Sequence, residues 1–194
     1  MRTHHVHLRA RARVAVAAAA GVVLLGVAPG TAAADSAFLR LDGIPGESTS
    51  ARFENQIDVT AFTWGITTSN SPAGGGGAGT GRTTFDDLAV IKAVDAASPP
   101  LFAAAAAGRH VSDATLTVVT SGANPAAYLR YCLHDLTVAS VKQDEARAER
   151  PVETVTFRYG QFAMAYGRQA PDGTRTFVTQ GWDLIGNLAT TEAC

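Results

Sequence analysis

Histidine, cysteine, serine and paired carboxylates are the side chains with which this chain could do chemistry, and they are few and scattered. Of its five histidines, His4, His5 and His7 fall in the opening segment, which leaves His110 and His134. No H-E-x-x-H or C-x-x-C spacing occurs, so the sequence supports no zinc site. His134 and Asp135 are adjacent on a predicted strand, where neighbours point to opposite faces, and cannot work as a local acid–base pair. Both histidines read as surface or hydrogen-bonded groups. A hydrolase triad could be assembled only from distant residues such as Ser121, His134 and Asp183, and no G-x-S-x-G elbow marks a nucleophile. The carboxylate pairs Asp86-Asp87 and Asp144-Glu145 could in principle share acid–base work on a glycoside, but adjacent acids on strands and loops more often serve solvation. No catalytic residue, metal ligand or cofactor site is therefore expected.

The glycine run Gly74-Gly75-Gly76-Gly77-Ala78-Gly79 contains two formal phosphate-binding patterns. Gly76 to Thr83 reads G-x-x-x-x-G-R-T, with Arg82 where a P-loop has lysine, and Gly74, Gly76 and Gly79 satisfy G-x-G-x-x-G. Either pattern needs a helix directly afterwards, because loop amides and a helix N-terminus bind the phosphates. Thr83-Thr84-Phe85-Asp86-Asp87 reads as extended, so residues 69–82 are expected to be a glycine-rich loop and not a nucleotide cradle. Trp64, Trp182, Tyr128, Tyr131, Tyr159 and Tyr166 could line a sugar platform. Aromatics at alternating strand positions are more often core.

The elements that would hold these residues begin after a distinct leader. Residues 1–34 carry Arg2, Arg9, Arg11 and Arg13, an apolar run from Val14 to Ala28, then Pro29, Gly30 and Ala32-Ala33-Ala34. This is the layout of a cleavable signal peptide, with cleavage expected before Asp35. The apolar run is shorter than the roughly 20 residues of a spanning helix. Without residues 1–34 the chain has 12 basic and 17 acidic side chains, a net charge of −5, which argues against bulk binding to nucleic acid or an anionic membrane. Export would place the two cysteines, Cys132 and Cys194, in an oxidising compartment, where they are a candidate disulfide. The alternative is a buried Cys132 and a loose thiol at Cys194.

Short alternating runs predict strands at Phe38–Leu41, Gln56–Thr68, Thr83–Val94, Ala114–Thr120, Tyr128–Val141, Val152–Tyr166 and Thr174–Thr179, with a last segment from Gly181. In Gln56–Thr68, Phe62, Trp64 and Ile66 would share an inward face. In Thr83–Val94, apolar residues fall on both faces, and the buried face stays open. One helix is signalled by Ser98 as N-cap, Pro99 in the first turn, an alanine run and Gly108 just past the end. Lys142 to Arg150 reads as a charged, solvated loop. The expected fold is mainly β: a two-sheet antiparallel barrel or sandwich over residues 35–194 with one short flanking helix.

Several segments, in order, resemble the haemolysin-coregulated protein (Hcp) family of type VI secretion. They are Phe38 to Ser48, Ile57 to Gly65, Gly81 to Leu88, Lys92 to Leu101 with Gly108-Arg109-His110, Tyr128 to Asp135, and Gly181-Trp182-Asp183. The resemblance implies a compact two-sheet barrel with one helix, self-assembly into hexameric rings that stack as a tube, and a lumen that holds small protein cargo. It implies a structural protein and no enzyme. The leader departs from that family, whose tube proteins are loaded from the cytoplasm, and implies a secreted, extracellular form. A secreted binding module for a sugar or peptide, or a hydrolase, stands as the alternative on the same scaffold.

Overall fold

The computed structural model describes residues 35–69, 82–122, 124–145, 150–190 and 194. Residues 1–34, where a signal peptide is expected, most of the glycine-rich loop and residues 146–149 lie outside them. In chain order the described elements are β1 (Ser36–Leu41), β2 (Ile57–Val59), β3 (Ala61–Thr63), β4 (Ile66–Ser69), β5 (Arg82–Phe85), β6 (Leu88–Ala93), α1 (Ser98–Ala107), β7 (His110–Val119), β8 (Ala127–Asp144), β9 (Val152–Gln169), β10 (Arg175–Asp183) and β11 (Leu188–Thr190).

Nine strands join one antiparallel sheet in the order β11-β10-β9-β8-β7-β1-β2, with β6 also on β9 and β3 on β6. The remaining pair, β4 and β5, forms a separate two-stranded ribbon. The expected two-sheet barrel is thus one curled sheet plus a ribbon. The chain bends at Thr60, so that β2 lies on β1 while β3 lies on β6, and Thr60 N donates to Ile91 O at 2.8 Å. This corner carries the wall from one side of the barrel to the other without a complete ladder. The predicted strand Gln56–Thr68 is therefore three strands, and Ile66 belongs to the ribbon, 52% exposed, instead of facing inward with Phe62 and Trp64.

The β8–β9 hairpin spans 18 residues on each strand and serves both halves of the fold. The first half of β9 pairs with β6 and the second half with β10. Between them, Asp135 takes φ 60° in β8, opposite Gly160 in β9. A side chain at 160 would place its Cβ 3.0 Å from the Asp135 Cβ, so glycine permits the close approach at the bend. The strand β8 continues to Asp144, so the predicted charged loop begins three residues later than its sequence suggests. The outer edge of β10 is covered by β11 only at Gly181–Asp183. Arg175–Gln180 have no strand on that side among the described residues, which leaves a free edge there and fits the expected barrel or sandwich without full closure.

The core is lined by alternate strand residues, among them Leu39, Ile57, Leu88, Val90, Leu116, Leu133 and Phe157. This settles the face of β6: the Leu88 and Val90 side is inward, and Lys92 goes in with it. The helix docks on the barrel through Leu101 and Ala104 and ends at Gly108 with φ 58°, where Arg109 N donates to Ala104 O. Its start differs from the expectation. Ala97, whose methyl group can accept no hydrogen bond, is the N-cap in place of Ser98, and the Ser98 hydroxyl is buried in another network. Asp95 takes over locally, accepting Ala97 N at 2.8 Å.

Candidate functional site

The β6–β9 register sets Lys92 directly opposite Glu153. Both side chains are fully buried, and Lys92 Nζ lies 2.8 Å from Glu153 Oε1 and 2.7 Å from Asp95 Oδ1. The ammonium also reaches Ala93 O and Ser98 Oγ, while Glu153 accepts from Ser98 Oγ and Gln143 Nε2. Burial alone pushes the Glu153 carboxyl up, but the hydrogen bonds from Lys92, Gln143 and Ser98 together with the lysine charge hold it below its usual range. Among the described residues no buried side-chain nitrogen or oxygen is left without a hydrogen-bond partner. The cluster ties the lead-in of α1 to three barrel strands, β6, β8 and β9. Nothing in the sequence reading singled out Lys92 or Glu153, although each shares strand parity with core residues: Leu88 and Val90 for the lysine, Val155 and Phe157 for the glutamate.

A second cluster is aromatic. Trp64 stacks on Phe162 with ring centroids 4.1 Å apart, and Tyr131 and Tyr159 pack around them. Trp64 Nε1 donates to the Tyr159 hydroxyl, which donates to Asp86 O at 2.8 Å. Burial pushes the Tyr159 hydroxyl up to about 12. Trp64, Tyr131 and Tyr159 are therefore packing groups, as expected. Tyr128 and Trp182 are half-buried and Tyr166 is 53% exposed, so these three do not join that core.

The scattered triad is not brought together. His134 Nδ1 lies 2.6 Å from Asp113 Oδ1 across the β7–β8 ladder. Ser121 follows the far end of β7, eight residues beyond Asp113, or roughly 26 Å of strand. Asp183 lies on β10, two strands from His134, and its Oδ1 accepts Ile185 N and Gly186 N. His110 has its own partner, Asp135, at 3.5 Å. Asp87 pairs with Arg158, and Asp86 sits against Gly65. Among the described residues no group of three or more histidines, cysteines and acids is arranged to hold a metal. The phosphate-binding patterns fail on context, since β5 and not a helix follows Gly81. No helix of the described residues is long and apolar enough to cross a membrane.

Cys132 and Cys194 form a disulfide with Cα atoms 5.4 Å apart, so the paired reading holds over two separate thiols. Among the open surfaces are a cleft of about 590 Å³ between the ribbon and β10, lined by Ile66, Phe85, Arg82, Trp182 and Asn187 among others, and the edge of β10 that no described strand covers. The described residues thus present surfaces for contact, and none of the candidate groups named above is assembled into a reaction centre among them.

The profile of the family described as "Type VI secretion system effector, Hcp" matches residues 38–166. Protein hcp1 of Pseudomonas aeruginosa is 33% identical over 155 residues, covering 78% of this chain and 96% of that protein. Two solved structures cover 81% of this chain and all of theirs at 29% identity: a type six secretion system protein with a TM-score of 0.75, and Hcp1 from Salmonella typhimurium with 0.66. Fold, order of elements and overlap agree on one conclusion: the chain belongs to the Hcp family of type VI secretion, whose members are secreted structural tube proteins.

Proposed function

We propose that this chain is an exported ring-building unit: residues 1–34 are a leader removed before Asp35, and the domain of residues 35–194 closes head to tail into hexameric rings whose lumen holds a small protein. The observation that carries the reading is the overlap with Protein hcp1, which extends over 96% of that protein. The Cys132–Cys194 disulfide supports export, because such bonds persist in oxidising compartments. A net charge of −5 without the leader is small enough that self-repulsion does not forbid association. Light scattering after size exclusion, over a wide concentration range, tests the assembly. A six-fold mass that falls on dilution is expected, and a monomer at every concentration refutes it. Sequencing of the exported protein tests the leader, with Asp35 expected as the first residue and intact residues 1–34 as the contrary result. The cleft lined by Trp182, Phe85 and Arg82 favours a second reading, a binding module for a sugar or peptide. A monomer that retains such a ligand would support it.

A further inference from the structure

We infer that the Cys132–Cys194 disulfide is a latch on the edge of the sheet, and that its reduction exposes β10 to antiparallel pairing with the β10 of a second copy.

The latch follows from one row across the sheet. Cys132 in β8 lies opposite Ala163 in β9, Ala163 opposite Gly181 in β10, and Gly181 opposite Thr190 in β11. Cys194 is only four residues beyond Thr190, yet its sulfur lies 4.0 Å from Ala163 O, back over β9. The disulfide thus fixes Cys194, four residues after β11, to β8 and so tethers β11 to the sheet. The strand it holds is short: three residue pairs, with Leu188 53% exposed. A three-residue edge strand is marginal without a tether, and a covalent link raises its effective concentration at the edge. Cys132 is 5% exposed while Cys194 is half-buried, so a reductant meets the bond at Cys194.

The occupant of the vacated edge is set by the sequence of β10 itself. With β11 released, the open edge extends from Arg175–Gln180 to the whole of Arg175–Asp183. An antiparallel pair centred on Thr179 brings Arg175 of one copy opposite Asp183 of the other, twice by symmetry. Asp183 is at present occupied by the amides of Ile185 and Gly186, both in the segment leading to β11, so release frees its carboxylate. Arg175 is held only by contacts at 3.4 Å to Gly167 O and 3.3 Å to Gln169 Oε1. This two-fold contact goes beyond the ring reading, which needs a head-to-tail surface and is judged on the oxidised protein alone.

The test uses the protein of residues 35–194 with and without dithiothreitol. Two electrons pass from the dithiol to the bond, the S–S link breaks, two protons complete the thiols of Cys132 and Cys194, and the reagent leaves as its cyclic disulfide. Light scattering is expected to show a dimer contact only after reduction. Hydrogen exchange should show faster exchange at Leu188–Thr190 and slower exchange at Arg175–Gln180, with β7 to β9 unchanged. Cys132→Ala/Cys194→Ala should dimerise without reductant. Arg175→Glu should weaken the reduced dimer about tenfold, the effect of about 1.4 kcal/mol from the two lost pairs, and Arg175→Glu/Asp183→Arg should restore it. Unchanged mass on reduction, a dimer indifferent to Arg175→Glu, or global loss of protection on reduction would each overturn the inference.

Discussion

Replacing Lys92 with methionine should be among the most damaging single changes this domain can suffer. The ammonium is the one cation between two carboxylates, Glu153 and Asp95, at 2.8 and 2.7 Å, and its side chain is fully buried. Methionine fills most of the volume but leaves Glu153 buried with only Gln143 and Ser98 as donors. Removing one partner of a buried pair costs about 3–5 kcal/mol. For a domain of this size each kcal/mol moves the melting temperature by about 2–4 °C, so a loss of about 4 kcal/mol lowers it by roughly 8–16 °C. Glu153→Gln should cost clearly less. It leaves Lys92 paired with Asp95 and takes the local charge from −1 to zero. The double change Lys92→Met/Glu153→Leu should recover most of the loss, since well-packed apolar replacements of buried pairs are often neutral. Thermal and urea unfolding followed by circular dichroism at pH 7 measures all three. A drop below about 3 °C for Lys92→Met, or a double variant worse than it, would refute the argument that an uncompensated buried carboxylate sets the cost.

The same site predicts acid sensitivity. Glu153 is held below its unfolded value, so its contribution is present above about pH 4.3 and is lost as pH falls through the folded value; an acid unfolding series should show a step in that window that Glu153→Gln removes. Gly46→Ala should destabilise the Gly46–Gln56 loop, because a Cβ there would overlap the backbone of Gln56 and Ile57; overpacking typically costs about 1–3 kcal/mol, measured by the urea midpoint. Shortening Gly74–Gly79 should leave the melting temperature nearly unchanged, because the run has no apolar side chain to bury; a large drop in a thermal scan would contradict that.

Local signals served the sequence reading well where one strand or one turn decided the outcome. Gly108 closes α1 as its position implies, Phe38–Leu41 and Val152–Tyr166 lie within β1 and β9, and Ala114–Thr120 overlaps β7 up to Val119. Readings failed where a residue's role was set by a partner far along the chain. Ser98 looks like a cap in its local context, but Glu153, 55 residues away, takes its hydroxyl into a buried network. Lys92 looks like a surface charge until the β6–β9 register supplies its counter-ion. The bend at Thr60 leaves no turn motif, because it is imposed by β1 and β6 claiming adjacent pieces of chain. Alternation alone could not choose the inward face of β6, since apolar residues occur on both sides and the choice rests on packing.

The placement of β1 also bears on how fast the native state is reached. Arg40 in β1 faces Thr115 in β7 at a sequence separation of 75, and the chain between them includes the glycine-rich stretch. The β8–β9 hairpin, by contrast, joins strands separated by a short connection. Local pairing forms in microseconds, whereas domains dominated by distant strand pairing take milliseconds to seconds. The β8–β9 hairpin therefore assembles early, β7 adds to it, and β1 closes the wall late. A chain that emerges from a membrane pore with its amino end leading exposes β1 first; β2 and Phe53 can reach Phe38 and Leu39 early, but the β7 side of β1 has no partner until β7 follows.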